Sequence, residues 1–353
     1  MSFFEKLLHN KTYFGVDIGT TSIKIVELKQ GGQKPGLKDY CVLESYAHLE
    51  KFNAAIQTSN LKMLDQKTAE YLKTAIQQIE SKDIEAIASV PTFSAFTTLI
   101  EMPAMSEADT SKAMAFQVRQ YVPLPISEVT TDWIKIMEKK DSAGNLIQQV
   151  LLISIPNEII NKYKNVFQLA GVKLIALEVE GLSLARALTL GSPEVSLIVD
   201  IGSRSTSILI AQNGFLKFVS QTDFAGSSLT QNLAAGTSLS PQEAEEMKRQ
   251  RGIVSGELST LLIPVLDAII NETRLVKEDF EKNYKEPVQK LILTGGGANL
   301  SGIEKYFGEQ LGLPAVKGNP LSRVDYPEEL NPLLGELNNT LAIAAGLALR
   351  DVH

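Results

Sequence analysis

Two aspartates sit in copies of one tetrapeptide, Val16-Asp17-Ile18-Gly19 and Val199-Asp200-Ile201-Gly202. Each copy ends an apolar run and is followed by hydroxyl residues, Thr20 and Thr21 in the first and Ser203 in the second. An apolar stretch then resumes, which describes a hairpin with an acidic, glycine-containing bend. Gly19 and Gly202 let the bend turn tightly and leave room for an anion against the backbone. Successive N–H groups in such a bend form an anion-binding concavity. Asp17 would repel a phosphate directly, so a cation must stand between them. Hydrated Mg2+ suits that place, because the ion keeps several waters and takes few carboxylates. Lys24, on the returning strand, adds a positive charge for phosphate. Two such bends, one from each half of the chain, can grip a polyphosphate from both sides.

The stretch Leu291-Ile292-Leu293-Thr294-Gly295-Gly296-Gly297 is a buried strand that runs into three glycines. Backbone without side chains can lie flat against a nucleoside. The pattern is not the Gly-x-Gly-x-x-Gly of a dinucleotide fold. Ser301 and Glu304 read as a capping box for the helix that follows. Gly31-Gly32-Gln33-Lys34-Pro35-Gly36-Leu37-Lys38 approximates a P-loop but has Leu37 where the lysine is required, and reads as a solvated turn.

These motifs need elements to position them. The first bend joins strands Tyr13–Ile18 and Ile23–Leu28, with a third strand near Tyr40–Tyr46. Lys67–Ile79 has the apolar spacing of a helix, and Ile84–Val90 that of a buried strand. Residues 91–156 read as an insertion with its own small core. It comprises a strand bracketed by Pro91 and Pro103, a helix over Ser106–Val122 with Ser106 and Asp109 at its cap, and a hairpin of Trp133–Met137 and Leu146–Ile155. Asn157 caps a helix that stops at Gly171, and Leu174–Val179 returns to the main sheet. In the second half, Pro241–Arg251 is helical up to Gly252, Leu258–Tyr284 is a long helix that Pro264 breaks or kinks, and Leu341–Leu349 is a last helix of small residues.

The bulk properties fit a globular protein: 353 residues, 44% hydrophobic and 21% charged. A net charge of −7 argues against a dedicated nucleic-acid binder. The single Cys41 excludes an internal disulfide and suits a reducing compartment. His9, His48 and His353 are in no metal-ligand spacing. No apolar run approaches the roughly 18 residues of a spanning helix, and the N-terminus has no signal-peptide core, so the expected location is the cytoplasm. Phe4, Leu7 and Leu8 read as a short helical stripe docked on the protein's own core.

The order hairpin, hairpin, triple glycine resembles the actin and sugar-kinase ATPase superfamily. The resemblance implies an α/β actin-like ATPase fold: two duplicated ribonuclease-H-like domains, with an inserted α+β subdomain in the first. Domain I spans 1–192, with the insertion at about 85–170. Domain II spans 193–353, with about 340–353 returning to domain I. Glu180-Gly181-Leu182-Ser183-Leu184-Ala185-Arg186-Ala187 resembles the helix that links the halves, whose leading acid orients Mg2+ waters or the attacking water. Ala342-Ile343-Ala344-Ala345-Gly346-Leu347 resembles the second connecting helix. Ala244-Glu245-Glu246-Met247-Lys248 is similar to the bacterial-actin helix that reaches adenine and ribose.

Within the superfamily, Tyr121-Val122-Pro123-Leu124-Pro125, followed by Glu128-Val129 and Asp132-Trp133, resembles the inserted subdomain of the PilM family of type IV pilus assembly, relatives of the division protein FtsA. Gln117 stands where relatives often carry Glu and has no role here. The resemblance implies ATP/ADP bound with Mg2+. Asp17 and Asp200 would be at the metal; Gly19, Thr20, Thr21, Lys24, Gly202 and Ser203 at the phosphates. Glu245, Lys248, Gly295, Gly296 and Gly297 would be at the nucleoside, and Glu180 and Asp200 would serve any hydrolysis, slow rather than fast. It also implies a partner, the short cytoplasmic N-terminal peptide of a PilN-like inner-membrane protein, alongside other platform proteins, with self-association left open. An FtsA-like division protein and a sugar-kinase-type phosphotransferase are the alternatives. The chain stops at Arg350–His353 without the amphipathic membrane helix usual in FtsA, which favours recruitment to the membrane through a partner. A kinase needs a base for its substrate hydroxyl, and none is identifiable.

Overall fold

The computed structural model describes residues 12–29, 34–44, 61–81, 84–141, 143–253 and 257–350. The proposed N-terminal stripe of Phe4, Leu7 and Leu8 lies outside them. The chain builds the same five-stranded sheet twice. The first contains β1 (Thr12–Ile18), β2 (Ser22–Lys29), β3 (Gly36–Glu44), β4 (Glu85–Val90) and β8 (Lys173–Val179), in the order β3-β2-β1-β4-β8. The second contains β9 (Ser196–Ile201), β10 (Thr206–Gln212), β11 (Phe215–Thr222), β12 (Lys290–Thr294) and β13 (Ala315–Lys317), in the order β11-β10-β9-β12-β13. Each sheet opens with three antiparallel strands and closes with two parallel ones. Ile, Val and Leu on these strands bury both faces, as a sheet covered on two sides requires.

Helices α1 (Leu61–Gln77) and α3 (Asn157–Ala170) cover one face of the first sheet, with Leu72, Ala75, Val166 and Phe167 packed on Phe14, Val16 and Ile25. In the second sheet α7 (Glu257–Tyr284) and α8 (Ile303–Leu311) take the same place, packing Leu266, Ile269 and Phe307 on Leu197, Val199 and Ile208. Two short helices, α4 (Glu180–Thr189) and α9 (Ala342–Ala348), cross between the sheets. Their contact is backbone-close: a Cβ on Gly346 would lie 2.1 Å from the Ser183 carbonyl oxygen, and one on Gly15 would lie 1.9 Å from that of Ala344. Only glycine permits either approach. Leu321, Val324, Leu337 and Leu341 pack with Val26, Leu28 and Leu37 of the first sheet, so the chain meets that sheet from the turn beginning at Pro320.

Between β4 and α3 lies a third sheet, β5 (Phe96–Pro103), β7 (Leu146–Pro156) and β6 (Val129–Lys140), in that order, with α2 (Glu107–Tyr121) on one face. Strand β7 alternates. Val150 and Leu152 face α2 and pack with Met114 and Val118, whereas Leu151, Ile153 and Ile155 pack with Leu184 of α4 and with Leu209, Ala211 and Leu216 of the second sheet. Each such buried side chain contributes on the order of 2 kcal/mol. The insertion is therefore fastened to both halves rather than tethered to one. Strand β4 and helix α3, which flank it, belong to the core of the first sheet.

Four local expectations are corrected. Asn157 does not cap α3: Pro156 occupies the cap, while Asn157 donates from Nδ2 to the Ser127 carbonyl oxygen and accepts from the Thr130 hydroxyl. The Ser301–Glu304 box is absent, because Gly302, at φ 87°, occupies the α8 cap without a side-chain bond. Helix α7 is not broken at Pro264 but continues through it. Buried Leu262, Val265 and Leu266 anchor it there, and their packing outweighs the roughly 3 kcal/mol that an internal proline costs. Strand β3 begins at Gly36 because Leu37 N–H donates to the Asp325 carbonyl oxygen at 2.7 Å and Asp325 N–H to that of Pro35 at 2.8 Å.

Candidate functional site

The two acidic bends are built alike. Gly19 N–H donates to the Ser22 carbonyl oxygen at 2.9 Å, and Gly202 N–H to that of Ser205 at 3.0 Å. Asp17 is paired in register with Lys24, and Asp200 with Ser207. One position thus carries a lysine in the first half and a serine in the second. Thr20, Thr21 and Ser203 occupy the bends themselves and are partly exposed.

Asp17 is buried, and both its oxygens are engaged: Oδ1 accepts from the Ser89 hydroxyl at 2.8 Å and Oδ2 from Lys24 Nζ at 3.0 Å. Burial works against the Lys24 charge. The charge and hydrogen bond of Asp17, with smaller contributions from Asp200 and Glu180, more than offset it and hold the ammonium pKa above its ordinary value. Burial pushes Asp200 up to about 6, with Lys24 drawing it down and Asp17 driving it up. Glu180 at the start of α4 is driven well above the usual carboxylate range by burial, then by Asp17 and Asp200; Lys24 and a 3.2 Å hydrogen bond from Thr92 N–H act in the opposite sense. The structure thus brings Asp17, Lys24, Glu180 and Asp200 into one electrostatic cluster, fed by both sheets and by a connecting helix.

The triple glycine lies against the second bend. Gly295 has φ 82°, and a Cβ there would lie 2.4 Å from Asp200 Oδ1. One on Gly297 would lie 2.3 Å from Ile201 Cγ2, whereas one on Gly296 would meet nothing within 4 Å. Gly295 and Gly297 are therefore fixed by packing, and Gly296 presents bare, exposed backbone.

Glu245 and Lys248 lie on α6 (Pro241–Arg251), behind the N-terminus of α5 (Gly226–Thr237). Lys248 Nζ donates to the Gly226 carbonyl oxygen at 3.1 Å, the Thr230 hydroxyl at 2.9 Å and Glu245 Oε2 at 2.5 Å. Burial tends to raise the Glu245 pKa, but Lys248, Thr230 and Arg249 bring it below the usual range. Gly226 N–H donates to the Gly202 carbonyl oxygen at 3.0 Å and Ser227 N–H to that of Ser203 at 2.7 Å. Lys248 thus ties α6 to the N-terminus of α5, whose own N–H groups hold the second bend.

Sequence reasoning missed Ser89, Thr92, Ser207, Gly226, Ser227 and Thr230. The signals were present but weak: a serine inside the apolar run Ala86-Ile87-Ala88-Ser89-Val90, and a glycine with two serines, Gly226-Ser227-Ser228, soon after the second hairpin. Where the insertion joins the first sheet, Phe93, Ser94, Ala95, Phe96, Val122–Leu124, Ser154 and Pro156 line an apolar groove of about 170 Å³. Phe93 and Leu124 remain 52% and 43% exposed beside each other in this groove.

This geometry has known counterparts. The chain is 21% identical over 374 residues to the cell division protein FtsA of Enterococcus faecalis, covering 91% of this chain and 84% of that protein. Its structure superposes on a solved PilM-PilN type IV pilus biogenesis complex with a TM-score of 0.79 at 23% identity, covering 97% of this chain and 98% of that one. It superposes on MreB 5 of Spiroplasma citri, solved with AMPPNP, with a TM-score of 0.53 at 13% identity, covering 97% and 96%. The five-stranded sheet built twice is that of the actin-like ATPase fold. The profile of the family described as type IV pilus assembly protein PilM matches residues 15–352, and the chain belongs to that family.

Proposed function

We propose that the cleft binds ATP or ADP with hydrated Mg2+, and that the protein is a nucleotide-binding adaptor of the pilus inner-membrane platform that takes the N-terminal cytoplasmic peptide of a PilN-type protein. The observation that carries the nucleotide reading is the convergence of Asp17, Asp200, Glu180 and Lys24 between two like bends. Gly19, Thr20, Thr21, Gly202 and Ser203 would hold phosphate oxygens through the backbone and hydroxyls. Lys24 would turn from Asp17 toward phosphate. Gly296, backed by Gly295 and Gly297, would lie on the nucleoside, with Glu245 and the α6 end that Lys248 secures beside the ribose.

The donor set fits a hydrated ion rather than a directly ligated one. Among the described residues no group of three or more His, Cys, Asp or Glu could hold a metal. Asp17 already accepts two hydrogen bonds. Asp17 and Asp200 would therefore hold Mg2+ through its waters, where the ion neutralises phosphate charge. Glu180 would orient a water. Positioning and charge stabilisation do most of the work in phosphoryl transfer, so slow turnover is expected.

The partner reading is supported by family membership, by the likeness to a structure named as a PilM-PilN complex, and by the apolar groove beside Phe93 and Leu124. No helix among the described residues is long and apolar enough to cross a membrane. The membrane would be reached through the partner. Titration calorimetry with Mg-ATP tests the cleft: Asp17→Ala and Asp200→Ala should each weaken binding at least tenfold, about 1.4 kcal/mol. Unchanged affinity and unchanged Mg2+ dependence in both variants would overturn the reading. Leu124→Asp should abolish capture of the partner peptide while Mg-ATP still binds.

A further inference from the structure

One short turn has a residue in each of the two proposed sites. After β4 and Pro91 the chain forms a single 3-10 turn, Thr92–Ser94. Phe93 and Ser94 line the apolar groove. Their neighbour Thr92 is buried and points its polar groups the other way. Its N–H donates to Glu180 Oε2 at 3.2 Å, and its hydroxyl oxygen accepts from the Ser207 hydroxyl at 3.4 Å. Ser207 belongs to the second half, paired in register with Asp200. Thr92 therefore links the wall of the groove to the acid at the head of α4 and, across the cleft, to the second acidic hairpin.

The turn is well suited to transmit a displacement. It is closed by Ser94 N–H on the Pro91 carbonyl oxygen at 2.9 Å and Ala95 N–H on that of Thr92 at 3.2 Å. A turn of three residues with two internal bonds moves as a unit. At 3.4 Å the Ser207–Thr92 contact is longer than the about 2.5–3.0 Å usual for O–H···O bonds, so a small approach of the halves tightens it and a small separation loses it. Beside it, Leu151 and Ile153 of the insertion share a core with Leu209 and Leu216 of the second sheet. The insertion cannot ignore a movement of that sheet.

We infer that Thr92 is a positioning residue that couples the nucleotide cleft to the peptide groove: closure of the halves sets the Ser207–Thr92–Glu180 contacts, and the same turn sets Phe93 and Ser94 against the peptide. This rests on the function proposed above. Coupling between two binding sites is reciprocal by thermodynamic necessity. Peptide seated on Phe93 should therefore tighten nucleotide binding by the same factor that nucleotide tightens peptide binding.

The test uses the full chain, a fluorescent Mg-ATP analogue and a labelled synthetic peptide of the PilN-type cytoplasmic N-terminus. In the wild type, saturation with either ligand should shift the dissociation constant of the other by about fivefold or more, equally in both directions, within the range usual for allosteric coupling. Thr92→Val and Ser207→Ala, which remove the cross-cleft bond from opposite sides, should bring that factor close to one. Thr92→Ser keeps the hydroxyl and should retain it, which a merely structural role would not predict. Thr92→Pro removes the N–H directed at Glu180. Pro91, at φ −55° and ψ 142°, already has the extended backbone that a following proline demands; because this variant loses the hydroxyl as well, its difference from Thr92→Val isolates the second contact. It should lower the factor and slow ATP turnover together. A wild-type factor of one with both ligands bound, or a factor that survives both Thr92→Val and Ser207→Ala, overturns the inference. A wild type that binds no nucleotide or no peptide overturns the function beneath it, and is told apart because no variant is needed to see it.

Discussion

The first and second acidic hairpins share topology, register and bend geometry, yet they balance charge differently. Asp17 faces Lys24 and keeps both oxygens hydrogen-bonded inside the protein. Asp200 faces Ser207, has no cation opposite it, and is held up to about 6 chiefly by burial. A duplicated scaffold thus carries one carboxylate bonded to a cation before ligand arrives and one that meets that cation only through its longer-range charge. Full ionisation of Asp200 is left for a bound cation to stabilise. Duplication fixed where the carboxylates stand, and the residue opposite each decided which of them has a cation across the strand pair.

The contrast is open to attack, beginning with the largest effect. Asp17→Ala leaves Lys24 and the Ser89 hydroxyl without their buried partner. Losing one member of a buried pair costs roughly 3 kcal/mol, so urea unfolding should show a loss of that order; a loss below about 1 kcal/mol would mean the pair is not balanced as described. Gly297→Ala comes next, because the new Cβ meets Ile201 Cγ2 at 2.3 Å. Overpacking of this kind costs about 1–3 kcal/mol, measurable in the same experiment.

Asp200 should behave in the opposite sense to an ordinary paired carboxylate. Its folded pKa of about 6 lies above the unfolded value near 4, so the folded state binds more protons in between. The stability it contributes is complete below about pH 4 and is lost as pH rises to about 6. Asp200→Asn should remove that downward slope relative to wild type in nucleotide-free protein, followed by thermal melts across pH 3.5–7. A variant whose melting profile parallels the wild type would place the carboxylate in water. The smallest effect on stability is expected at Gly296→Ala, within about 0.5 kcal/mol because open space awaits the methyl group. The same variant should still weaken Mg-ATP binding several-fold, and equal losses of stability at Gly296 and Gly297 would erase the distinction drawn between them.

Much of this was legible in the chain. The repeated Val-Asp-Ile-Gly marked both hairpins, and alternating or helical spacing located β1, β2, β4, α2 with its Ser106 cap, and α6 ending at Gly252. These are local features: period, bend residues and caps are set by neighbours within a few positions. Asn157 and Pro264 misled for the same reason. Each carries a strong local preference that contacts from distant residues overrode, Ser127 and Thr130 for Asn157 and the α7 core for Pro264.

By itself the sequence determined that two acidic bends and a triple glycine exist and that each ends a buried strand, because side-chain pattern and backbone preference act over short range. Only the tertiary structure decided that Lys24 opposes Asp17 while Ser207 opposes Asp200, that Glu180 joins them from α4, and that Thr92 spans cleft and groove. Those facts depend on register and on helix crossings such as Ser183 on Gly346. Such contacts join residues far apart along the chain, and packing rather than local preference selects them.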